Sequence, residues 1–365
     1  MLERLLAAPN RWLLDHVEPE WVDYVVSNTM TDFNRWFNGF LWTYDLKALV
    51  ESIEDEAPGV KTFVLRPNQH WRGFEPGQHI ELEVQINGQA QRRCYSPSHR
   101  PNGRVSITVK RKAGGHVSNW LHDHLCTGMQ VGMKHPRGRF TWQGQHKLLM
   151  LCAGSGITPC HAMVSSMLLR PLDQRPDVRV MAQFRDASQV IFRQHLQDWH
   201  TQGVPVTLAL SGEQGEAGRL NAQRILHDCP DVNERDIYLC GPEGFMAQMM
   251  DELKSLGVDP KRVHTERFEM APPQPVADRA FDVDGAQVFF EHVNARLTLT
   301  AADQGKTLLQ LAQDHGVNLE SGCGQGACGT CKLTVHDGQA CGNVMGTTVY
   351  LCTAYPGSRH LVLGA

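Results

Sequence analysis

The sequence lacks any long apolar run, since none of its 365 residues belongs to a stretch of about 18 consecutive apolar residues. It therefore predicts no membrane-spanning helix. The N-terminus also lacks a basic segment followed by an apolar stretch and a cleavage site, so secretion is not expected and a cytoplasmic location is predicted. Basic residues are not in excess, because 35 Lys and Arg face 39 Asp and Glu, which excludes the charge pattern of nucleic-acid binders.

Cysteine, by contrast, is plentiful. In a reducing cytoplasm a tight group among the eleven cysteines indicates a metal site rather than a disulfide framework. Three cysteines follow the spacing C-x4-C-x2-C and a fourth comes later, giving the set Cys323, Cys328, Cys331 and Cys352. This spacing is that of plant-type [2Fe–2S] ferredoxins. Interleaved glycines let the backbone wrap around a cluster and bring N–H donors to its sulfurs.

Two alternatives stay open for this loop. Four cysteines can also hold a structural zinc ion, although zinc loops usually combine one C-x2-C with a second such pair or with histidines. Cys341 competes with Cys352 as the fourth ligand, and we favour Cys352 because the strand-like run before it can return it to the loop. The other cysteines are expected to be small buried residues, namely Cys94, Cys126, Cys152, Cys160 and Cys229.

Composition and pattern divide the chain into five predicted segments, 1–45, 46–143, 146–268, 269–280 and 281–365. Residues 1–45 hold four of the eight tryptophans. This segment either packs on the rest of the protein or docks at a membrane surface or a membrane-bound partner, where Trp is common. Residues 269–280 contain three prolines in a polar setting and are predicted to be a linker.

The three larger segments predict different folds. In 46–143, strand-like runs separated by Pro, Gly and Asn clusters predict a small antiparallel β-barrel, with strands over 61–65, 78–85, 92–96 and 105–110. In 146–268, apolar strands alternate with helices, which predicts a doubly wound parallel sheet. Residues 281–365 combine strand pairs and one helix with the cysteine loop. The chain is therefore expected to be a multidomain α+β and α/β protein.

A candidate flavin site begins at the end of the predicted strand 92–96, with Arg93, Tyr95 and Ser96. An Arg there can pair with a diphosphate, a Tyr ring can stack on a flavin, and a Ser hydroxyl can reach the flavin N5. The alternative is an ordinary Arg–Tyr pair on an edge strand. Lys110 precedes a stretch that opens a helix, where backbone N–H groups and the helix dipole favour an anion. That stretch contains Gly114, Gly115, Val117 and Ser118.

A candidate nucleotide site lies at the carboxyl ends of two predicted parallel strands, where ligands bind in open α/β sheets. The turn Gly154–Pro159 follows the first strand; it lacks the third glycine of a dinucleotide fingerprint and the G-K-[ST] of a P-loop. Cys240-Gly241-Pro242 follows the second strand. Arg185 can accept a 2′-phosphate whereas Asp186 favours a ribose diol, so NADPH and NADH both stay open, with a slight preference for NADPH.

Together these motifs resemble the ferredoxin–NADP reductase superfamily. The segments that carry the resemblance are Phe74–Gln78, Arg93–Ser96, Gly114–Ser118, Pro136–Phe140, Gly154–Pro159 and Cys240–Met246. Their order is similar to that of reductase components of bacterial oxygenases and hydroxylases. The resemblance implies a flavin barrel, a nucleotide domain and a C-terminal β-grasp ferredoxin domain, with FAD as the flavin and FMN as the alternative. The aromatic N-terminal segment is similar to reductases that serve membrane fatty-acyl desaturases.

The resemblance also implies roles for single residues. The flavin ring and its phosphates would be held by Arg93, Tyr95, Ser96, Gly115, Val117 and Ser118. The nicotinamide path would be lined by Gly154, Gly156, Thr158 and Cys240, with Cys240 near the hydride. Glu266 and Phe268 fall where such enzymes bring a strand end toward the flavin.

The expected function follows from electron counting. A nicotinamide delivers two electrons as hydride whereas a [2Fe–2S] cluster accepts one, so a flavin belongs between them. No H-E-x-x-H or H-x-x-H-H motif occurs, so the electron acceptor is expected to be a separate metalloenzyme, either an oxygenase, a hydroxylase or a membrane-bound desaturase. In the last case residues 1–45 would contact the inner membrane face. Two other functions stay open: a reductase for a stress-response metalloprotein, and a non-enzymatic zinc-binding module.

Overall fold

The structure, a computed structural model, describes residues 40, 45–86, 89–212, 215–268, 281–322, 324, 326 and 329–364. Two compact units are described separately. The first comprises Met1–Gln91, Tyr95–Gly241 and Gln248–Glu266, and the second Arg92–Cys94, Pro242–Ala247 and Arg267–Ala365. No helix within the described part of the chain is long and apolar enough to cross a membrane.

A seven-stranded antiparallel sheet forms the predicted barrel. Its elements are β1 Lys47–Ala57, β2 Val60–Pro67, β3 Ile80–Ile86, β4 Gln89–Tyr95, β5 Pro97–Arg100, β6 Arg104–Lys110, helix α1 His116–His124 and β7 Gln130–Met133. The strands lie in the order β4-β3-β7-β1-β2-β6-β5. Alternate residues such as Phe63, Leu65 and Ile107 point inward and are fully buried, so one face of each strand builds the core.

A five-stranded parallel sheet follows, as predicted. Its elements are β8 Lys147–Ala153, α2 Ile157–Leu168, β9 Asp177–Phe184, α3 Arg193–Thr201, β10 Val206–Leu210, α4 Ala222–Asp228, β11 Asp236–Cys240, α5 Glu243–Ser255 and β12 Val263–Glu266. The strand order is β10-β9-β8-β11-β12. The order reverses at β8, so the carboxyl ends of β8 and β11 flank the crevice where such sheets bind nucleotides.

Helix α3 begins at Arg193, after a separate short turn. The Asp186 side chain accepts a hydrogen bond from the Gln189 N–H and so caps a separate short turn at Ala187–Gln189. Phe192 then adopts a left-handed backbone with φ +57° directly before Arg193. A non-glycine residue in that conformation interrupts a helix, and so the helical pattern starts again only after it.

A buried guanidinium joins the opposite, amino-terminal ends of this sheet. The Arg235 side chain is fully buried and donates to the Asp177 carboxylate at 2.6 Å and to the Asp231 carboxylate at 2.8 and 2.9 Å. Its Nη1 also donates to the main-chain oxygens of Leu148 and Asp177 at 3.1 Å. One side chain thereby satisfies groups at the starts of β8 and β9.

Replacing Arg235 with methionine should lower the free energy of unfolding by about 2 kcal/mol, because two carbonyl oxygens lose their donor and two carboxylates lose their cation. Asp177 is half-exposed and can regain water, which keeps the loss below that of a fully buried pair. Urea denaturation measures the change. Arg175→Met, in an exposed loop, is the control and should alter stability by less than ~0.5 kcal/mol. Equal losses in the two variants would contradict the prediction.

The second unit contains a small mixed sheet. Its elements are β13 Gln287–Phe290, β14 Ala295–Thr298, α6 Leu308–Asp314, β15 Lys332–Met345 and β16 Thr348–Gly364. The order is β14-β13-β16-β15, with β13 and β16 parallel and the other pairs antiparallel. Helix α6 starts at a capping box between Thr307 and Gln310 and buries Leu308 and Leu311 in the core of this sheet. This mixed sheet with one packed helix agrees with the predicted β-grasp fold.

The predicted segment boundaries stay predictions. The linker 269–280 lies outside the described residues, as does the predicted N-terminal extension apart from Phe40 and Asp45. Phe40 is buried, and the Arg66 guanidinium lies over its ring at 5.3 Å from the centroid. The Asn68 amide donates to the main-chain oxygen of Asp45 at 2.9 Å.

Candidate functional site

The strand end that carries the predicted flavin residues contains a buried, unsatisfied hydroxyl. Tyr95 ends β4 and packs partly buried against the barrel core, and Ser96 follows it directly. Ser96 is only 4% exposed, and its Oγ has no hydrogen-bond partner among the described residues. Buried hydroxyls are nearly always hydrogen-bonded, so this atom marks a place where a ligand can complete the bond.

The predicted diphosphate site lies at the start of helix α1. Gly115 is its N-cap and has no side chain to cap the first N–H groups. A Cβ on Gly115 would lie 2.6 Å from the Ser118 Oγ, which itself accepts from the Lys112 N–H at 3.3 Å. Gly114 has φ +69°, a conformation that requires glycine. The uncapped N–H groups therefore form a suitable anion site.

The structure also places the other predicted phosphate-binding residues near this turn, Val117 and Lys110. The Val117 side chain is buried in the barrel core, so only its backbone can face a diphosphate. Lys110 is exposed at the end of β6. The neighbouring Arg111 donates to the Asp123 carboxylate from both terminal nitrogens. Lys110 can therefore approach an anion here, whereas Arg111 would first have to leave its ion pair with Asp123.

The predicted nicotinamide turn is packed directly against the end of β11. Gly154 has φ +54°, and a Cβ on Gly156 would lie 2.3 Å from the Cys240 main-chain oxygen. Thr158 is buried, and its Oγ1 donates to the Ser155 main-chain oxygen at 3.0 Å, which closes the turn. Thr158 therefore shapes the turn, and its hydroxyl is already bonded within the protein. The close approach leaves room for no side chain at position 156.

Cys240 and Glu266 end neighbouring strands and lie side by side. They are paired in the parallel register of β11 and β12. Burial raises the pKa of the Cys240 thiol well above its usual value, and the Glu266 carboxyl raises it further. The thiol is thus neutral and cannot act as a thiolate nucleophile. Gly241 and Pro242 follow, and the Pro242 main-chain oxygen accepts from the Met246 N–H at 3.0 Å in the first turn of α5.

Glu266 has a partner that the sequence did not reveal. The His79 Nδ1 lies 3.4 Å from Glu266 Oε1, while Oε2 is buried and has no partner among the described residues. Burial raises the pKa of Glu266, and the His79 ring partly offsets that effect. His79 is held by paired backbone hydrogen bonds with Arg137. No local pattern marks His79, because it is a single histidine in a strand-like run. Phe268, two residues beyond Glu266, is half-buried.

The residues predicted to choose between coenzymes follow β9. Arg185 is exposed, and its main-chain oxygen accepts from the Gly212 N–H at 2.6 Å. The Asp186 Oδ1 accepts from the Ser188 hydroxyl and from the Gln189 N–H, and the Ser188 hydrogen bond lowers the pKa of Asp186. One carboxylate oxygen is thus committed to the turn. The choice between NADPH and NADH stays a prediction.

The two described cysteines of the predicted cluster set come together. Cys331 precedes β15 and Cys352 lies on β16, with their Sγ atoms 3.3 Å apart. A disulfide bond measures about 2.05 Å, so these are separate thiols close enough to ligate one metal centre. The Gly326 N–H donates to the Cys352 Sγ at 3.0 Å, the type of contact that tunes a cluster. Cys323 and Cys328 lie outside the described residues.

The loop's glycines and the position of Cys341 both favour this interpretation. Gly324, Gly326 and Gly329 have φ values of +67°, +75° and +77°, which other residues rarely adopt. Cys341 lies on β15, and its Sγ faces the main-chain oxygens of Tyr355 and Pro356 at 3.7 and 3.5 Å. Burial raises the pKa of Cys341, which disfavours the thiolate that a metal needs. Cys352 as fourth ligand stays a prediction that this geometry supports.

The expectation that the remaining cysteines are buried was wrong in part. Cys152, Cys160 and Cys229 are buried as expected, but Cys94 is half-buried and Cys126 is exposed. Of the histidines, His122 is buried and its Nε2 lies 2.9 Å from the Val109 main-chain oxygen. It stands where α1 packs on the barrel.

Three family models match successive parts of the chain. They are the oxidoreductase FAD-binding domain over residues 47–142, the oxidoreductase NAD-binding domain over residues 150–251, and the 2Fe-2S iron-sulfur cluster binding domain over residues 291–356. Their order agrees with the barrel, the parallel sheet and the cysteine-bearing unit.

Relatives extend the match across these domains. The glycine betaine monooxygenase reductase subunit of Pseudomonas aeruginosa is 30% identical over 321 residues, which cover 82% of this chain and 86% of that protein. The stachydrine N-demethylase reductase subunit of Rhizobium meliloti is 31% identical and covers 78% of this chain and 84% of its own length. The phthalate dioxygenase reductase structure, at 22% identity, aligns with a TM-score of 0.65 over 88% of this chain and 98% of its own.

Proposed function

Because the chain belongs to the ferredoxin–NADP reductase type of oxygenase reductase subunits, we propose which of its own residues perform the steps of electron transfer. Members of this group carry electrons from NAD(P)H through FAD and a [2Fe–2S] cluster to a separate oxygenase. This chain is accordingly an NAD(P)H oxidoreductase. The observation that carries the residue assignments is the pair of buried oxygens, Ser96 Oγ and Glu266 Oε2, for which the described residues provide no hydrogen-bond partner.

We assign flavin binding to the antiparallel barrel. When bound, FAD would supply the conversion between two-electron hydride chemistry and one-electron transfer. Tyr95 offers a ring for stacking, Ser96 Oγ offers its unused hydrogen bond, and the N–H groups after Gly115 receive the diphosphate. Arg93 and Lys110 supply positive charge for the phosphates.

We assign the positioning of the nicotinamide to the carboxyl ends of β8 and β11 in the parallel sheet. Gly154 and Gly156 have no side chains, so the coenzyme can approach the backbone of their turn closely. Gly241 and Pro242 border the other side of the nicotinamide. The neutral Cys240 thiol provides a polarisable, water-excluding contact. Since Arg185 is exposed beside a partly committed Asp186, we keep the proposal that it contacts the adenosine end of the coenzyme.

Glu266 is suited to hold the proton that accompanies hydride chemistry. Its raised pKa keeps the carboxyl protonated above the ordinary value of 4.5, so Oε2 can donate. The His79 ring at Oε1 orients the carboxyl and gives the proton a route. Ser96, Cys240 and Glu266 together are the residues we assign to the reacting end of the site.

Replacing Glu266 with glutamine should slow turnover about tenfold, because an amide keeps the size of the carboxyl but cannot relay a proton. The pH dependence of stability supplies a second measurement. Above pH 4.5 the folded chain holds this proton longer than the unfolded chain, so wild-type stability falls as pH rises through the raised pKa. The variant should lack that slope in urea titrations between pH 4.5 and 8. Identical slopes in both proteins would contradict the assignment.

Cys323, Cys328, Cys331 and Cys352 would hold the [2Fe–2S] cluster, which would supply one-electron transfer to the acceptor. The named relatives serve a glycine betaine monooxygenase and a stachydrine N-demethylase. We propose that the acceptor of this chain is likewise a separate oxygen-activating metalloenzyme.

The function is tested on purified protein by cofactor analysis and anaerobic reduction. We expect FAD, about two irons and about two inorganic sulfides per chain, and bleaching of the visible absorbance by NADH or NADPH. Comparing the two coenzymes decides the preference that the sequence left open. A colourless protein holding one zinc ion would overturn the proposal.

A membrane-bound desaturase is the second candidate acceptor, with residues 1–45 at the inner membrane face. The four tryptophans of that segment favour it. Co-sedimentation with anionic lipid vesicles tests this candidate, comparing the full chain with a variant that lacks residues 1–39. Binding by neither protein would remove it.

A further inference from the structure

A buried hydrogen bond joins the flavin-bearing strand region to the helix of the nicotinamide turn. Strand β5 starts directly after Ser96, and its residue Ser98 is buried. Helix α2 starts directly after Gly156, and its residue His161 is also buried. The Ser98 Oγ and His161 Nδ1 atoms are 3.2 Å apart. Ser98 is thus two positions along the chain from Ser96, and His161 is five positions from Gly156 of the nicotinamide turn.

The His161 ring is packed against aromatic side chains of α3 and of Phe192, the residue directly before α3. It stacks on Phe192, with ring centroids 3.9 Å apart, and on Trp199, with centroids 5.5 Å apart. His195 meets it edge-on at 4.7 Å. Phe192 holds the left-handed backbone that costs roughly 1 kcal/mol or more in a non-glycine residue, so this stacked arrangement is maintained against local strain.

The position of His161 favours a neutral imidazole, which an aliphatic side chain does not fully replace. Burial keeps the pKa of His161 well below its usual value, and the nearby His195 and Arg100 charges act in the same direction. The neutral ring has one donor and one acceptor nitrogen, and Nε2 lies 3.5 Å from the Ser165 Oγ. Leucine would fill similar volume but would leave the Ser98 hydroxyl unpaired and the register of α2 along β5 unspecified.

We propose that His161 is a positioning residue for hydride transfer. By binding Ser98 and stacking on α3, it fixes α2, and with it the turn at Gly154 and Gly156, relative to the strand end that carries Ser96. The inference rests on the proposed function. Hydride transfer needs reacting atoms about 3–3.5 Å apart, and a 1 Å misplacement can cost up to about 100-fold in rate.

The test is stopped-flow reduction of the FAD-loaded enzyme by NADH. His161→Leu should slow hydride transfer about tenfold and leave the FAD content and the NADH concentration for half-maximal rate nearly unchanged. The primary isotope effect with NADH deuterated at C4 should rise, because a looser site lengthens the transfer distance. Ser98→Ala, a milder change that keeps the ring in place, should slow transfer about threefold in the same direction.

Two comparisons separate positioning from general destabilisation. Met167→Ala removes another buried side chain of α2 but leaves the Ser98–His161 bond, so it should lower stability without slowing transfer. The double variant His161→Leu with Ser98→Ala should be no slower than His161→Leu alone, because both remove one interaction.

The proposal is overturned if Met167→Ala slows hydride transfer as much as His161→Leu does. It is also overturned if the rate losses of His161→Leu and Ser98→Ala multiply in the double variant, or if neither single variant changes the isotope effect. Failure of the wild-type enzyme to be reduced by NADH or NADPH would instead overturn the proposed function.

Discussion

Cys352→Ala should abolish electron transfer to one-electron acceptors that depend on the cluster, while NADH still reduces the flavin. Cys352 is buried, its Sγ lies 3.3 Å from that of Cys331, and it receives the Gly326 N–H. Losing a ligand should exceed the roughly 10–100-fold effects that follow loss of an outer-shell partner. Iron and sulfide analysis, cytochrome c reduction and ferricyanide reduction measure the cluster, the exit path and the flavin separately.

Cys341→Ala is the matched control, since it removes a thiol from the same sheet. The Cys341 Sγ faces main-chain oxygens, and so its loss should leave iron content and cytochrome c reduction at the wild-type level. If Cys341→Ala lost the cluster and Cys352→Ala retained it, the ligand assignment would be reversed. Retention of cytochrome c reduction in both variants would mean that electrons leave without the cluster.

Elements with strong local signals were predictable from the sequence. The parallel strands Lys147–Ala153 and Asp236–Cys240 are such elements, because each is a largely apolar run stopped by a glycine-containing turn. Strand β1 was not predicted, since its second half is acidic and partly exposed and so does not alternate clearly. Helix α4 was not predicted either, because seven residues give too short a pattern.

The residues of the site also differ in how far the sequence predicts them. The cysteine spacing and the glycine-containing turns are local patterns, and so the sequence alone predicted a cluster loop and ligand-binding turns. The contact between His79 and Glu266 depends on the barrel and the parallel sheet meeting within one unit, and no local pattern encodes it. The bond between Ser98 and His161 has the same origin. Residues that tune a site through such long-range contacts emerge only once the fold is known.

Gly156→Ala should reduce NADH-dependent flavin reduction by about 100-fold, the effect expected when a reacting group is displaced by about 1 Å. The new Cβ would lie 2.3 Å from the Cys240 main-chain oxygen and 2.6 Å from the Gly241 nitrogen. Both contacts are with backbone, which cannot swing aside, so the turn and the end of β11 must separate. Since we propose that these two segments flank the nicotinamide, coenzyme affinity and transfer rate should both fall, as stopped-flow titration with NADH would measure.

Gly244→Ala provides a control of identical chemistry in the same region. Gly244 lies within α5, has no positive φ, and an added Cβ would meet nothing within 4 Å. Alanine there should stabilise the helix by roughly 0.5–1 kcal/mol and leave flavin reduction unchanged. Dithionite reduction of the flavin should also be unaffected in both variants, because it does not use the nucleotide site. If Gly156→Ala kept wild-type kinetics with NADH, the contact between the turn and Cys240 would not define the nicotinamide path, and that part of the site would have to be reassigned.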